Sequence, residues 1–149
     1  GRDTPPSSAL GFVRDLETRL AAAHAGAAIA SVGGRYFAMD RDSRWERIEA
    51  GYDAIVHGEA SHRAVSAEAA IEAAYARGET DEFVAPTVID RERPGARVAR
   101  LSDGGVIVHA NFRADRARQL THALADGPRS TASIARRPAG GRRRPASSS

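Results

Sequence analysis

The sequence contains no cysteine and no lysine, and it has one methionine and one tryptophan among 149 residues. Without cysteine, disulfides and cysteine-bound metals are excluded. No apolar run approaches the ~20 residues that a membrane-spanning helix needs, so we expect no membrane partner. The first residues also lack the charged and then apolar pattern of a signal peptide. We therefore expect a cytoplasmic protein, whose length fits one domain with its own core.

All 22 basic residues are arginines, and they are distributed unevenly along the chain. Six of them follow Pro128, where the sequence has no acid, whereas residues 1–128 hold 16 arginines and all 19 acids. The net charge of +3 therefore comes from the C-terminal segment, and the part before it is acidic. An acidic body gives no electrostatic reason to expect a specific nucleic-acid partner. Residues 127–149 are nearly devoid of apolar side chains, which predicts a disordered tail.

Apolar residues recur at helical spacing in four segments, namely residues 8–24, 43–58, 66–77 and 113–124. Ser7 or Ser8 is a candidate cap for the first helix, and Gly26 follows its end. The second helix begins with Ser43 and Glu46 at capping-box spacing. Its apolar stripe consists of Trp45, Ile48, Tyr52 and Ile55.

Short apolar segments predict strands at residues 27–32, 97–101 and 106–109, the last two joined by a turn at 102–105. The charged segment at residues 35–42 is predicted to be a loop. Helices that alternate with short strands indicate the α/β class. We therefore predict one α/β domain, or part of one, over residues 1–126.

Arg35 and Arg41 lie between the first predicted strand and the second predicted helix. A helix N-terminus offers free N–H groups and a partial positive charge, so two guanidinium groups beside it could bind phosphate or carboxylate. The alternative is that these arginines form surface salt bridges with Asp40, Asp42 or Glu46. The pattern alone leaves both interpretations open.

Arg113 and Arg116 are three residues apart at the start of the last predicted helix, so they share one face. Two cations at this end oppose the helix macrodipole unless an anion lies between them, which points to a ligand. The alternative is an exposed helix face on which Asp115 is their partner.

Other polar residues give weaker indications. Arg2 and Asp3 lie in a proline-containing segment, where an isolated Arg–Asp pair says little about function. The five histidines form no HxxxH or HxH pair, so we expect no metal site in this chain. Because no nucleophile elbow and no glycine-rich phosphate loop is present, no catalytic residue is predicted.

Four strings follow one another in order along residues 1–124: GRDTPP, ASVGGRYFAMDRDSRWERIEAGYDAIVHGE, TDEFVAPTVI and NFRADRARQ. The part GRYFAMDRDSRW is long enough to be highly specific, and NFRADRARQ is nearly as specific. Together the strings resemble the cofactor-independent phosphoglycerate mutases, which are isomerases of glycolysis and gluconeogenesis.

The resemblance implies a fold, a reaction and cofactors. Members of this family have an alkaline-phosphatase-like domain, which holds two Mn²⁺ ions and a transiently phosphorylated serine, and an inserted α/β transferase domain that binds substrate. The resemblance falls within the inserted domain, so the chain is expected to be a fragment. The enzymes interconvert 2-phosphoglycerate and 3-phosphoglycerate without a bisphosphoglycerate cofactor and are usually monomeric.

The resemblance also implies the residues that bind phosphoglycerate, which are Arg2, Asp3, Arg35, Arg41, Arg113 and Arg116. Nothing in the sequence corresponds to the family's nucleophilic serine, its Mn²⁺ ligands or its catalytic lysine. We therefore expect the chain to supply substrate-binding residues and to be inactive alone. A stand-alone module that binds a phosphorylated metabolite without catalysis is the alternative. The sequence departs from the family's usual pattern at Ala60, where glycine is usual, and at Ala114, where proline is usual.

Overall fold

The computed structural model describes residues 3–23, 26–90, 101–102 and 104–126, with only the backbone described for Asp126. The elements, in chain order, are α1 (Ala9–Ala23), β1 (Ser31–Val32), α2 (Arg35–Ala38), α3 (Trp45–Tyr52), a π-helical turn (Asp53–His57), β2 (His62–Ala64), α4 (Ala67–Ala76), β3 (Thr87–Ile89) and α5 (Ala114–Asp126). This mixture of helices with a small sheet confirms the predicted α/β class. Within the described ranges no helix is long and apolar enough to cross a membrane.

The three strands form one mixed sheet in the order β1–β3–β2. The buried strand β3 is central, antiparallel to β1 and parallel to β2, with His62 opposite Thr87. Neither β2 nor β3 was predicted, because three residues are too few to show a strand period. β1 is shorter than the strand predicted at 27–32, although the Ala30 carbonyl still accepts the Ile89 N–H at 2.9 Å.

The strand predicted at residues 106–109 is wrong. Val106 and Val108 are 88% and 86% exposed, and no strand is assigned to this segment. A strand needs a neighbouring strand for its N–H and C=O groups, and none of the described strands pairs with this segment. The predicted partner at 97–101 lies outside the described residues except for Leu101, whose N–H donates to the Val56 carbonyl at 3.2 Å.

Helix α4 is the predicted third helix, and it packs against α1 and the sheet. It begins after Ser66, whose hydroxyl accepts the Ala69 N–H at 3.1 Å, and ends before Gly78, which has a φ of +82°. Its buried face consists of Ala67, Ala70, Ile71 and Ala74. Residues Val13 of α1 and Val32 of β1 pack against this face, so α4 connects the first helix to the sheet.

A second core cluster joins α3 to α5. Ile48 and Tyr52 of α3 are buried against Leu120 and Ala123 of α5. The apolar stripe predicted for the second helix is thereby confirmed, and the π-helical turn after it ends at Gly58, as predicted. This packing brings the start of α5, where Arg113 precedes the helix and Arg116 lies in its first turn, beside the segment that precedes α3.

The capping box predicted at Ser43 and Glu46 is not formed. Helix α3 begins at Trp45, and its N-cap residue, Arg44, makes no side-chain cap. Ser43 has a φ of +61°, and the N–H of Arg44 donates to the buried carboxylate of Asp40 at 3.0 Å. Asp40 therefore binds a backbone donor ahead of α3, which is the role that the sequence pattern gave to serine. The preceding charged segment, predicted to be a loop, contains the short helix α2.

Candidate functional site

Arg35 is the first residue of α2, and it lies against the segment that leads into β3. The Gly34 N–H donates to the Val84 carbonyl at 2.7 Å, and the Tyr36 N–H donates to the Glu82 carbonyl at 3.1 Å. The Arg35 guanidinium Nε is 3.2 Å from the Glu82 carboxylate, and its side chain is 21% exposed. Arg35 thus forms a salt bridge, but with a carboxylate that the sequence pattern did not name.

Arg41 lies in the segment between α2 and α3, and it pairs across the chain with α5. Its Nη1 donates to Oδ2 of Asp115 at 3.1 Å, and both side chains are about half exposed. The partners predicted for a surface salt bridge, Asp40 and Asp42, instead contact Arg44. Arg41 is therefore directed toward the start of α5.

Arg113 and Arg116 flank Asp115, the aspartate that Arg41 contacts. The backbone N–H of Arg113, the residue before α5, donates to Oδ1 of Asn111 at 3.0 Å, and its guanidinium Nε is 3.9 Å from Asp115. Arg116 donates from Nη1 to the Met39 carbonyl at 3.0 Å. Its Nε is buried and has no hydrogen-bond partner among the described residues. The predicted pairing of this helix start with Asp115 is confirmed for Arg113.

The charges of three arginines act on Asp115. Its hydrogen bond from Arg41 lowers its pKa below 3.8 against the opposing effect of burial, and the charges of Arg113 and Arg116 act in the same direction. Arg41, Arg113 and Arg116 therefore form one basic cluster, which we call the arginine cluster. Among the described residues, Asp115 is the carboxylate that pairs with both Arg41 and Arg113 of this cluster.

Arg2 lies outside the described residues, and Asp3 is exposed. The segment after them is fixed by Asp81, which accepts the N–H groups of Ser8 at 3.0 Å and Ala9 at 3.3 Å. These bonds satisfy donors at the start of α1, for which a serine cap was predicted. No hydrogen bond or ion pair between described residues joins Asp3 to the arginine cluster, and the role of Arg2 and Asp3 as ligands stays a prediction.

Asp40 is a site residue that the sequence pattern named only as a possible partner of other arginines. It is 3% exposed, and its Oδ2 accepts the N–H groups of Asp42 at 2.8 Å and Arg44 at 3.0 Å. Burial opposes ionisation of Asp40, but these N–H donors and the Arg44 guanidinium lower its pKa below 3.8. The carboxylate is therefore charged at neutral pH and holds the segment that carries Arg41.

A cleft of about 580 Å³ lies apart from the arginines, between α3 and the segment before β2. Its lining includes four carboxylates, which belong to Glu46, Glu49, Asp53 and Glu59. A small anion would be repelled there, because like charges at close range raise its free energy. The cleft is therefore a poor site for a phosphate ester.

The described part of the chain holds no group of three or more histidine, aspartate or glutamate side chains that could bind a metal ion. The residues at hand therefore do not fit the Mn²⁺ pair implied by the sequence resemblance, and no step that uses a metal is assigned to them.

The fold and the site define an α/β domain that presents a cluster of arginines where one helix begins. The family model described as the BPG-independent phosphoglycerate mutase (PGAM) N-terminus matches residues 1–142. The chain belongs to this family, which confirms the resemblance seen in the sequence.

Individual relatives agree with this assignment. The 2,3-bisphosphoglycerate-independent phosphoglycerate mutase of Hydrogenovibrio crunogenus is 54% identical over 124 residues, which are 83% of this chain and 23% of that protein. The enzyme of Desulforudis audaxviator is 54% identical over 126 residues, 85% of this chain and 24% of that protein. A solved structure of Leishmania mexicana phosphoglycerate mutase at low cobalt concentration superposes with a TM-score of 0.77 at 34% identity, over 85% of this chain and 24% of that chain. The chain thus spans about a quarter of the length of these relatives.

Proposed function

We propose that this chain supplies phosphoglycerate-binding arginines to a 2,3-bisphosphoglycerate-independent phosphoglycerate mutase. The reaction of the whole enzyme would interconvert 2-phosphoglycerate and 3-phosphoglycerate through a phosphoserine, in glycolysis and gluconeogenesis. The names of the curated relatives support the reaction class. The role of this chain within that reaction is binding of the substrate.

The convergence of Arg41, Arg113 and Arg116 is the observation that carries this proposal. Arg41 reaches the start of α5 from a position 74 residues earlier in the sequence. Phosphoglycerate has a phosphate and a carboxylate, and guanidinium groups bind both with paired, charge-assisted hydrogen bonds. The Nε–H of Arg116 is buried and has no partner among the described residues, so a phosphate oxygen could accept a hydrogen bond from it.

The remaining ligands follow from the family resemblance. Arg2, Asp3 and Arg35 match its substrate-binding positions, and we propose that they complete the site. Arg35 would exchange or share its contact with Glu82, which is 3.2 Å away and only partly exposed. We place the arginine cluster at the phosphate or carboxylate of the substrate and make no further division among its members.

The chain alone is proposed to be inactive. Its sequence offers no nucleophilic serine motif and no lysine. We propose that the nucleophile and the two Mn²⁺ ions belong to the part of the longer enzymes outside this chain, and that the whole enzyme is a cytoplasmic monomer. A coupled assay of the purified chain should detect no turnover of 3-phosphoglycerate, and measurable turnover would contradict this part of the proposal.

Titration calorimetry with 3-phosphoglycerate tests the binding role. We expect weak, saturable binding by the chain, and Arg113→Ala should weaken it at least about tenfold, because hydrogen bonds to charged groups contribute about 1.5–3 kcal/mol. Arg118→Ala is the matched control, since Arg118 is an exposed arginine on α5, the helix that Arg113 precedes. Equal losses in both variants would show that only net charge matters, and absence of binding by the parent chain would contradict the proposal.

The alternative is a stand-alone module that binds a phosphorylated metabolite without catalysis. The same titration separates the two. Because about three quarters of each relative's length lies outside the aligned region, the fragment is expected to bind weakly. Tight binding by the chain alone, without turnover, would favour the stand-alone module.

A further inference from the structure

Two buried side chains, Asp40 and Gln119, connect the segment that carries Arg41 to helix α5. They are 3% and 7% exposed. With its amide oriented so that the oxygen faces the Ser43 N–H at 2.8 Å, Gln119 places its nitrogen 3.2 Å from both Oδ2 and the carbonyl oxygen of Asp40. Each polar atom of this buried amide then has a complementary partner, as burial requires.

Arg116 reinforces the connection from the same face of α5, because it precedes Gln119 by three residues. Its Nη1 donates to the Met39 carbonyl at 3.0 Å. Two side chains from one helix face thus hold the backbone of residues 39–43. Arg41 lies in the middle of this segment, so these contacts set its spacing from the arginines of α5.

The backbone of this segment depends on the same contacts. Ser43 has a φ of +61°, a left-handed conformation that is unfavourable for a residue with a Cβ atom. The N–H groups on either side of it, from Asp42 and Arg44, both donate to Asp40. Its own N–H faces the Gln119 oxygen. The conformation therefore follows from two buried acceptors rather than from the preference of serine.

We propose that Asp40 and Gln119 are positioning residues, which hold Arg41 at a fixed spacing from Arg113 and Arg116. The inference rests on the proposed function, because the site that they position is the phosphoglycerate site. Both side chains are buried, so they act through the arginines and do not touch the ligand. Arginines held in place before binding lose less conformational entropy when the anion arrives, and this increases affinity.

Calorimetry with 3-phosphoglycerate on the full chain measures the effect. Asp40→Asn keeps the side-chain volume but replaces one accepting oxygen by an NH₂ group, which faces other N–H donors. We expect binding to weaken roughly tenfold. The matched control is Asp42→Asn, which removes an exposed carboxylate two residues later and should change binding less than about twofold. Unchanged binding in Asp40→Asn would overturn the inference.

A double-mutant cycle separates positioning from a general loss of structure. If Asp40 acts through Arg41, adding Asp40→Asn to Arg41→Ala should weaken binding little further. If Asp40→Asn instead disturbs the whole site, the two effects will add. Full additivity would therefore contradict the positioning role.

Amide hydrogen exchange tests the same residues without a ligand. Asp40→Asn and Gln119→Met should each speed exchange of the N–H groups at residues 42–44 by at least about tenfold, whereas exchange in α4 should not change. If Asp40→Asn does not fold, Gln119→Met serves for both measurements. Unchanged exchange at 42–44 would overturn the inference. Faster exchange in a chain that binds no 3-phosphoglycerate would instead reject the proposed function.

Discussion

The Nη1 of Arg41 lies 3.1 Å from Oδ2 of Asp115, which joins the segment before α3 to the first turn of α5. The same carboxylate is 3.9 Å from the guanidinium of Arg113. Asp115 is thus an internal anion placed among the arginines that we propose to bind an external one. Substrate and Asp115 would then compete for the same donors.

This competition predicts the effect of Asp115→Asn. The substitution removes a negative charge beside the incoming anion and releases Arg41 from its partner. Exposed charge pairs contribute little because water screens them, so we expect 3-phosphoglycerate to bind at most about fivefold more tightly. Calorimetry at low ionic strength measures this change most clearly, because salt screens it.

The control for this substitution is Asp15→Asn on α1, where Asp15 pairs with Arg19 away from the arginine cluster. It removes the same charge and should leave binding unchanged. Weaker binding in Asp115→Asn would show that Asp115 orients Arg41 for the ligand, and the competition would be wrong.

We predict that replacing Gly34 and Gly11 by alanine changes stability in opposite directions. A Cβ at Gly34 would be 2.3 Å from the Glu82 carbonyl oxygen and 2.7 Å from the Val84 nitrogen. Because these are backbone atoms, Gly34→Ala should destabilise the fold by about 1–3 kcal/mol. A Cβ at Gly11, within α1, meets nothing within 4 Å, and Gly11→Ala should stabilise the fold by about 0.5–1 kcal/mol.

Urea unfolding followed by circular dichroism measures both free energies. A neutral Gly34→Ala would mean that the contact between the start of α2 and the segment before β3 is not tight. That result would also remove the reason for the position of Arg35 beside Glu82.

Asp81 predicts how stability depends on pH. Burial opposes its ionisation, but hydrogen bonds from Tyr75, Ser8 and Ala9 lower its pKa in the folded state below 3.8. Its contribution is therefore fully present above pH 3.8 and is lost as the pH falls through the lower, folded-state pKa. Asp81→Asn should lower the free energy of unfolding by about 1–3 kcal/mol at pH 7, because it removes acceptors from partly buried donors.

The difference between Asp81→Asn and the parent chain should begin to shrink below pH 3.8, where the unfolded parent chain takes up a proton at Asp81, and should vanish once the pH is below the lower, folded-state pKa. Urea unfolding at pH 7, 5 and 3 measures this difference. A gap that stays constant to pH 3 would mean that the charge of Asp81 does not stabilise the fold.

We predict that the exposed segment at residues 106–108 promotes self-association of the chain and does not stabilise its fold. Val106 and Val108 are 88% and 86% exposed, and exposed apolar residues favour association. A double substitution of both valines by serine should leave the free energy of unfolding within about 0.5 kcal/mol of the parent value. Light scattering should report less self-association, and a large loss of stability would show that these side chains are packed.

The four longer helices could be predicted from the sequence because each has an apolar stripe, although the capping box predicted for α3 is not formed and the short helix α2 was predicted to be a loop. Ser66 and Gly78 bound α4 as their chemistry predicts, and the stripe at Ile48 and Tyr52 packs against α5. The strands were harder to predict from the sequence, because two or three residues are too few to show an alternating pattern. The apolar segment at 106–109 shows that β-branched residues alone do not make a strand, because pairing depends on a neighbour that sequence spacing does not reveal.

The sequence pointed to the arginines of the arginine cluster but not to their meeting in the fold. Arg113 and Arg116 stood out because two cations occupy a helix start. Their meeting with Arg41 depends on the packing of α3 against α5, which no local pattern contains. The roles of Asp40 and Gln119 were hidden for the same reason, because each acts on backbone groups brought close by the fold.

The central claim is that Arg41, Arg113 and Arg116 bind one anion together. Nuclear magnetic resonance of the arginine Nε–H groups during a titration with 3-phosphoglycerate tests it most directly. We expect the signals of these three arginines to shift along one saturation curve, while Arg14 and Arg63, which pair with carboxylates elsewhere, stay unchanged. Unshifted signals for the three arginines, or equal shifts for all five, would contradict the account.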